Sequence, residues 1–240
     1  IVFFIFTVAN VGGCLTPVGD PPLFIGYLRG VPFCWTLFHL WPDWVLVMAV
    51  LLVIFYVFDS INFRRAPQPV REKETAQETF RLDGAKNAWF VLVILGAVLM
   101  RGAGAPWGVP EAIMAAAAGL SHRFTDPTIR AKNDFNFEPL KEVAWLFLGI
   151  FATLVPVIHT LTVHSDKFGH PSDLQFYFMT GSLSAFLDNA PTYLTFLTLA
   201  LALHQPPLHL LNPQEVAMFA ANDPHTLAAI SLGAVFFGAA

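Results

Sequence analysis

The 240-residue chain predicts an all-α membrane protein whose helices are interrupted near the middle of the bilayer. Three observations predict it. Hydrophobic residues make up 55% of the chain and charged residues 12%, about half the usual share of a soluble domain. A soluble domain could not keep that much apolar surface from water, so lipid is the expected solvent. Few apolar runs reach the roughly 20 residues that one clean crossing needs, and two of them are broken at corresponding places by Gly, Pro and Asp. A net charge of −4 speaks against a nucleic-acid partner. Cys14 and Cys34 fit neither a disulfide framework nor a metal knuckle, and no cofactor is implied.

Residues 1–58 read as one helix over 1–31 with a break at 10–22, an interfacial stretch over 32–43 and a span over 44–58. Trp35, His39, Trp41 and Asp43 give the interfacial stretch the mixture expected at headgroup level. Residues 59–87 form a polar loop rich in both charges. Residues 88–121 hold two short, tilted crossings around a Gly/Pro turn, and 122–142 a second charged loop. Residues 143–163 make a span interrupted only by Pro156 and His159. In 174–203 two apolar arms flank Asp188-Asn189-Ala190-Pro191, and 226–240 starts another broken helix. Ile1 and Ala240 both lie in apolar runs, so both ends are expected to cut through helices and the chain reads as a fragment.

Lysine and arginine orient these elements. All but Arg29, Arg101 and Lys167 fall in two loops, with Arg64, Arg65, Arg71, Lys73, Arg81 and Lys86 in the first and Arg123, Arg130, Lys132 and Lys141 in the second. If 88–121 crosses twice, the positive-inside rule makes both loops cytoplasmic, and a bacterial inner membrane is the expected host. The span 143–163 then runs outward. A full crossing by 174–203 would put 204–224 inside, yet that stretch holds neither Lys nor Arg. Its arms also suit a re-entrant hairpin better than a crossing.

Asp20 and Asp188 fall where the membrane should be thickest. An Asp at a helix centre costs roughly 2.5–3.5 kcal/mol on insertion scales, and such residues usually mark ion or proton pathways. Gly12, Gly13, Pro17, Gly19, Pro21, Pro22 and Pro191 break the backbone ladder and free its groups to face a cavity. Asn10, Thr16, Ser182, Ser184, Asn189 and Thr192 add neutral oxygens. This hard-ligand set suits a transported alkali cation, held by Asp188, Asn189, Asp20 and Thr16, and not a soft metal. The candidate ion- or substrate-binding set is therefore Asn10, Gly12, Gly13, Thr16, Pro17, Gly19, Asp20, Ser182, Ser184, Asp188, Asn189 and Thr192.

Helix capping is the competing reading. Asp20 precedes Pro21 as an N-cap precedes an N1 proline, and Asp188 or Asn189 could cap the helix starting near Pro191. The histidines of the outer loops (164, 170, 204, 209 and 225) read as solvated side chains. Two corresponding interruptions, one in each half, are the mark of discontinuous helices in an inverted-repeat secondary transporter.

Asn10-Val11-Gly12-Gly13-Cys14-Leu15-Thr16-Pro17-Val18-Gly19-Asp20-Pro21-Pro22-Leu23-Phe24 resembles the signature of the CitMHS-like "putative citrate transport" branch of the ion transporter superfamily, whose members are often labelled sodium:proton antiporters. Asn136-Phe137-Glu138-Pro139-Leu140-Lys141-Glu142-Val143-Ala144 and Ser182-Leu183-Ser184-Ala185-Phe186-Leu187-Asp188-Asn189-Ala190-Pro191-Thr192-Tyr193 are similar to the same branch. The resemblance implies two inverted repeats, each with a re-entrant hairpin and an unwound helix, meeting at the midplane. Residues 10–22 would be the unwound helix of repeat one and 188–192 the hairpin tip of repeat two. The first hairpin would precede Ile1 and the second unwound loop would follow Ala240. Cys14 and His159 depart from the family pattern.

The expectation is a secondary transporter, not an enzyme, exchanging sodium for protons at a midplane site. Cation-coupled transport of citrate or another small carboxylate is the alternative, because a half-helix N-terminus attracts anions. An intramembrane aspartyl protease using Asp20 and Asp188 as its dyad is a remote third. The partners expected are sodium, protons, a small carboxylate in the alternative, and the lipid bilayer, with a homodimer left open.

Overall fold

The computed structural model of the chain describes residues 2–68 and 83–238, so Arg71, Lys73 and Arg81 of the first charged loop lie outside the described residues. In chain order the helices are α1 (Val2–Phe4), α2 (Pro21–Arg29), α3 (Trp35–Arg65), α4 (Asn87–Gly102), α5 (Val109–Phe124), α6 (Pro127–Lys132), α7 (Glu138–Val163), α8 (Asp173–Ser184), α9 (Asn189–Leu203), α10 (Pro213–Asn222) and α11 (Pro224–Phe237). Among the described residues there is no strand. The chain divides into a larger unit, residues 1–51 and 140–240, and a smaller one, residues 52–139.

Among the described residues two helices, α3 and α7, are long and apolar enough to cross a membrane. The 31 residues of α3 run unbroken from the stretch expected at the interface, through the expected span and into the charged loop. At about 1.5 Å per residue this is roughly 46 Å, well beyond a hydrocarbon core of about 30 Å. Both helices leave large apolar side chains uncovered. Leu46 is 65% exposed, Val53 62%, Trp145 73% and Leu148 64%. A helix apolar over most of its surface and left uncovered by protein is suited to lipid contact.

In the larger unit α8, α9 and α11 close around Leu194, Leu197, Leu201, Leu227, Ile230 and Val235, and α2 lies against α9. The helices approach closely because small residues stand at the crossings. A Cβ on Gly233 of α11 would meet the Tyr177 carbonyl oxygen of α8 at 2.6 Å and the Thr180 Cβ at 3.1 Å, and one on Gly26 of α2 would run into the Tyr193 ring of α9. Such crossings carry helix association in lipid, where no hydrophobic force separates helix from solvent. The ends are pinned by polar bonds: Thr226 Oγ1 donates to Asp173 Oδ1 at 2.6 Å, and Trp35 Nε1 donates to the Ala220 carbonyl at 2.8 Å. The stretch 204–224 is not all loop. Asn212 accepts a bond from the Gln214 N–H and caps α10, with Pro213 at its first position.

In the smaller unit α4 and α5 pair side by side. Asn87 Oδ1 joins them, accepting bonds from Ser121 Oγ at 3.3 Å and Thr125 Oγ1 at 2.8 Å. Gly108, at φ 92°, turns the chain into α5, and Glu111 accepts its N–H at 2.9 Å. Neither helix, at 16 residues, exceeds about 24 Å.

The crossing of α8 and α11 gives a stability prediction. Gly233→Ala should cost about 1–3 kcal/mol through overpacking, read as a lower midpoint of thermal unfolding in detergent. Gly96→Ala in α4, where an added Cβ meets nothing within 4 Å, should leave the midpoint unchanged or raise it. Equal effects of the two substitutions would contradict the packing described.

Candidate functional site

The break predicted at 10–22 is a sequence of tightening and loosening turns. From α1 the chain widens into a π-helix over Ile5–Asn10, narrows into a 3-10 helix over Val11–Leu15 and then leaves the helical path. Departures of this kind inside helices recur at functional positions. The loop closes on itself through Gly13 and Gly19, which approach so nearly that a Cβ on either would collide with the backbone of the other. The Gly19 N–H donates to the Thr16 carbonyl at 3.0 Å, and Thr36 Oγ1 of α3 donates to the Leu15 carbonyl at 2.9 Å. Asp20 then stands extended before the Pro21-Pro22 start of α2.

Asp20 occupies the N-cap position of α2 yet makes no side-chain cap bond. Caps bond the N–H of the second or third helical residue; here the second is Pro22, which has none, and the Leu23 N–H makes no bond to the Asp20 side chain. The carboxylate turns instead across the unit to Asn189, whose Nδ2 donates to Asp20 Oδ1 at 3.0 Å. Asp20 is only 3% exposed, and its Oδ2 is buried with no partner among the described residues. A buried carboxylate oxygen left unsatisfied is costly, and a bound cation or a proton relieves the cost.

The second break, between α8 and α9, is built differently. Asp188 caps α9, accepting the Ala190 N–H at 3.1 Å, and Thr192 Oγ1 donates to the Asp188 carbonyl at 2.9 Å. Ser184, at the end of α8, donates through Oγ to the Ala234 carbonyl of α11 at 2.7 Å. Asn10 reaches the same end of α11, its Nδ2 donating to the Val235 carbonyl at 3.4 Å. Gly238 backs onto Asn189 and Ser184, where an added Cβ would lie 3.1 Å from Asn189 Cβ and 3.3 Å from Ser184 Oγ. The capping reading thus describes Asp188 and not Asp20.

The structure therefore brings Asn10, Ser184 and Asn189 to the C-terminal end of α11, with Asp20 bonded to Asn189 and with Asp188 and Thr192 in the cap and first turn of α9. Gly13 and Pro17 are buried within the break, while Gly12, Thr16 and Gly19 are exposed on its other side. Ser182 is exposed too, since two residues along a helix from Ser184 it points nearly opposite. Sequence reasoning missed Thr180, whose buried Oγ1 has no partner among the described residues, and the two carbonyls at the end of α11. A threonine inside the apolar run 174–187 was the available signal for the first, and the carbonyls leave none. Neither 10–22 nor 182–192 contains Lys, Arg or His, so no basic side chain in either break neutralises the two acids. Among the described residues no group of three or more His, Cys, Asp and Glu side chains could hold a metal ion.

No curated protein and no solved structure matches the chain. A family model described as "Putative citrate transport" matches residues 1–240. With its apolar, all-helical build, that match over the whole length makes this a multi-pass membrane protein of the transporter class: the chain belongs to the citrate-transport family that the residues around Asp20 and Asp188 resemble.

Proposed function

We propose that the protein is a secondary transporter that moves a citrate-like small carboxylate together with cations, sodium first among them, at the site where the break at 10–20 meets the turn at 188–192. The observation that carries the reading is Asp20, buried, bonded to Asn189 through one oxygen and unpartnered at the other. Its free oxygen is a ligand for a hard cation. Donors for a bare anion are scarce in these two breaks. Pro21, Pro22 and Pro191 have no N–H, and the Ala190 N–H is already taken by Asp188. A polyanion would meet two acids and no base, so cations must accompany it. The family description supports a carboxylate as cargo. Sodium–proton exchange without a carboxylate is the second reading, favoured by the same lack of basic side chains.

Within this reading α8 and α9 form a re-entrant hairpin. At 12 and 15 residues they extend roughly 18 and 22 Å, short of the core thickness. The hairpin and the broken helix α1–α2 belong to opposite members of an inverted repeat, and the charged loops 59–87 and 122–142 face the cytoplasm of a bacterial inner membrane.

Flux in proteoliposomes separates the two readings. The proposal predicts sodium-driven uptake of labelled citrate, whereas sodium-dependent proton movement with no citrate uptake would select the second. Asp20→Asn keeps the volume and removes the charge. It should weaken the sodium dependence at least about tenfold, roughly 1.4 kcal/mol, and flatten the loss of sodium binding that acid causes in the wild type as protons and sodium compete for the carboxylate. Unchanged sodium dependence in that variant would contradict the role given to Asp20. Asp188→Asn is a cleaner test of charge, since Asn caps as well as Asp. Its thermal stability should match the wild type while transport falls to background, and full transport would remove Asp188 from the mechanism.

A further inference from the structure

The smaller unit holds a second chemistry that does not depend on the transport reading. Between α4, α5 and α6 lies a cavity of about 420 Å³ whose walls are Phe90, Val91, Ile94, Ile129, Phe135 and Phe137. It sits where α4 begins and α5 ends, at the level where the apolar helices give way to the charged loops. Asn87, Ser121 and Thr125 also line it, but their side chains bond one another across the helix pair. The charge on the rim belongs to Arg130. Its Nη1 donates to the His122 carbonyl at 2.9 Å and lies 2.9 Å from each ring nitrogen of His122. Among the described residues no carboxylate lines the cavity. Asp126, one turn before Arg130 and outside the cavity lining, caps α6 through Oδ1, accepting bonds from Thr128 N and Oγ1 at 2.8 Å, and lies within the field of Arg130 and Lys132. Phe135 and Phe137 complete the rim with His122, their rings 5.2 Å apart and edge to face, each about half exposed.

From this arrangement we infer that the cavity is a seat for an anionic phospholipid of the adjoining leaflet, its phosphate on Arg130 and one acyl chain between α4 and α5. Charge complementarity selects the occupant. An apolar slot with a guanidinium at its mouth and no carboxylate among its described lining residues, at the end of two apolar helices where the charged loops begin, matches a lipid with a long apolar tail and an anionic head. A soluble phosphate would find the charge but leave the apolar walls unfilled, and a zwitterionic lipid would fill the walls and bring a cationic group to Arg130.

The test is photolabelling of the protein in nanodiscs with phosphatidylglycerol carrying a diazirine in its acyl chain, the sites being mapped by mass spectrometry. Labelling is expected on residues 87–94 and 129–137, about fivefold above that of the phosphatidylcholine analogue, the worth of one basic residue near an anionic surface. Arg130→Gln should bring it down to the phosphatidylcholine level and Arg130→Lys should retain most of it. Ile94→Trp, which fills the slot and leaves the charge, should remove labelling by both probes, and it decides the matter if Arg130→Gln does not yield folded protein. Equal labelling by the two lipids, or labelling unchanged in both Arg130→Gln and Ile94→Trp, would overturn the assignment. So would displacement of the probe by millimolar glycerol phosphate, which would mark a site for a soluble anion.

Discussion

A helix that breaks inside hydrocarbon must find protein or water for every backbone group it releases, and the two breaks of the larger unit satisfy each other in the way that constraint asks. The first spends its carbonyls on its own turns and on Thr36, and its closure depends on Gly13 and Gly19 having no side chains to separate them. The second is held by Asp188 at the start of α9 and by Ser184 reaching the end of α11. The Asp20–Asn189 hydrogen bond then joins the two across most of the chain's length. Small residues at the α8–α11 and α2–α9 crossings set how close the breaks can come, so the packing of apolar helices and the placing of two polar side chains are one problem.

The two acids divide the work. Asp188 is coordinated by its own helix, where a carboxylate is at home beside the positive end of the dipole. Asp20 makes no such cap bond, turns to Asn189 and is left with one oxygen unmet in a buried place. That unmet oxygen is the one feature of the pair that structure alone does not require. A neutral Asn at position 20 could accept the same bond from Asn189 at lower cost in lipid, and the proposed role of the charge is to hold a transported cation.

Much of this was legible in the sequence because it is local. Gly, Pro and Asp at 12–22 and at 188–191 act on their own backbone, so the positions of the breaks could be read directly. The helix-by-helix hydropathy was equally readable, as the exposed apolar faces of α3 and α7 show. Other features depend on contacts distant in sequence. Which acid is buried is settled by Asn189, 169 residues from Asp20, and composition treats the two acids alike. Ser182 and Ser184 look equivalent in a list of polar oxygens, yet only one faces α11. The cavity beside Arg130 needed α4, α5 and the turn after α6 to be brought together, and the sequence offered only a charged loop there.

Whether Asp20 and Asn189 act as one unit is measured directly by a double-mutant cycle. Sodium affinity of the purified protein would be compared for wild type, Asp20→Ala, Asn189→Ala and the double variant, with thermal unfolding of each as the control for folding. Residues that share one ligand-binding network should show a coupling of about 0.5–3 kcal/mol, with Asn189→Ala costing little once Asp20 is gone. Effects that add to within about 0.5 kcal/mol, the behaviour of independent sites, would show that the contact merely holds two helices together and that the cation binds elsewhere.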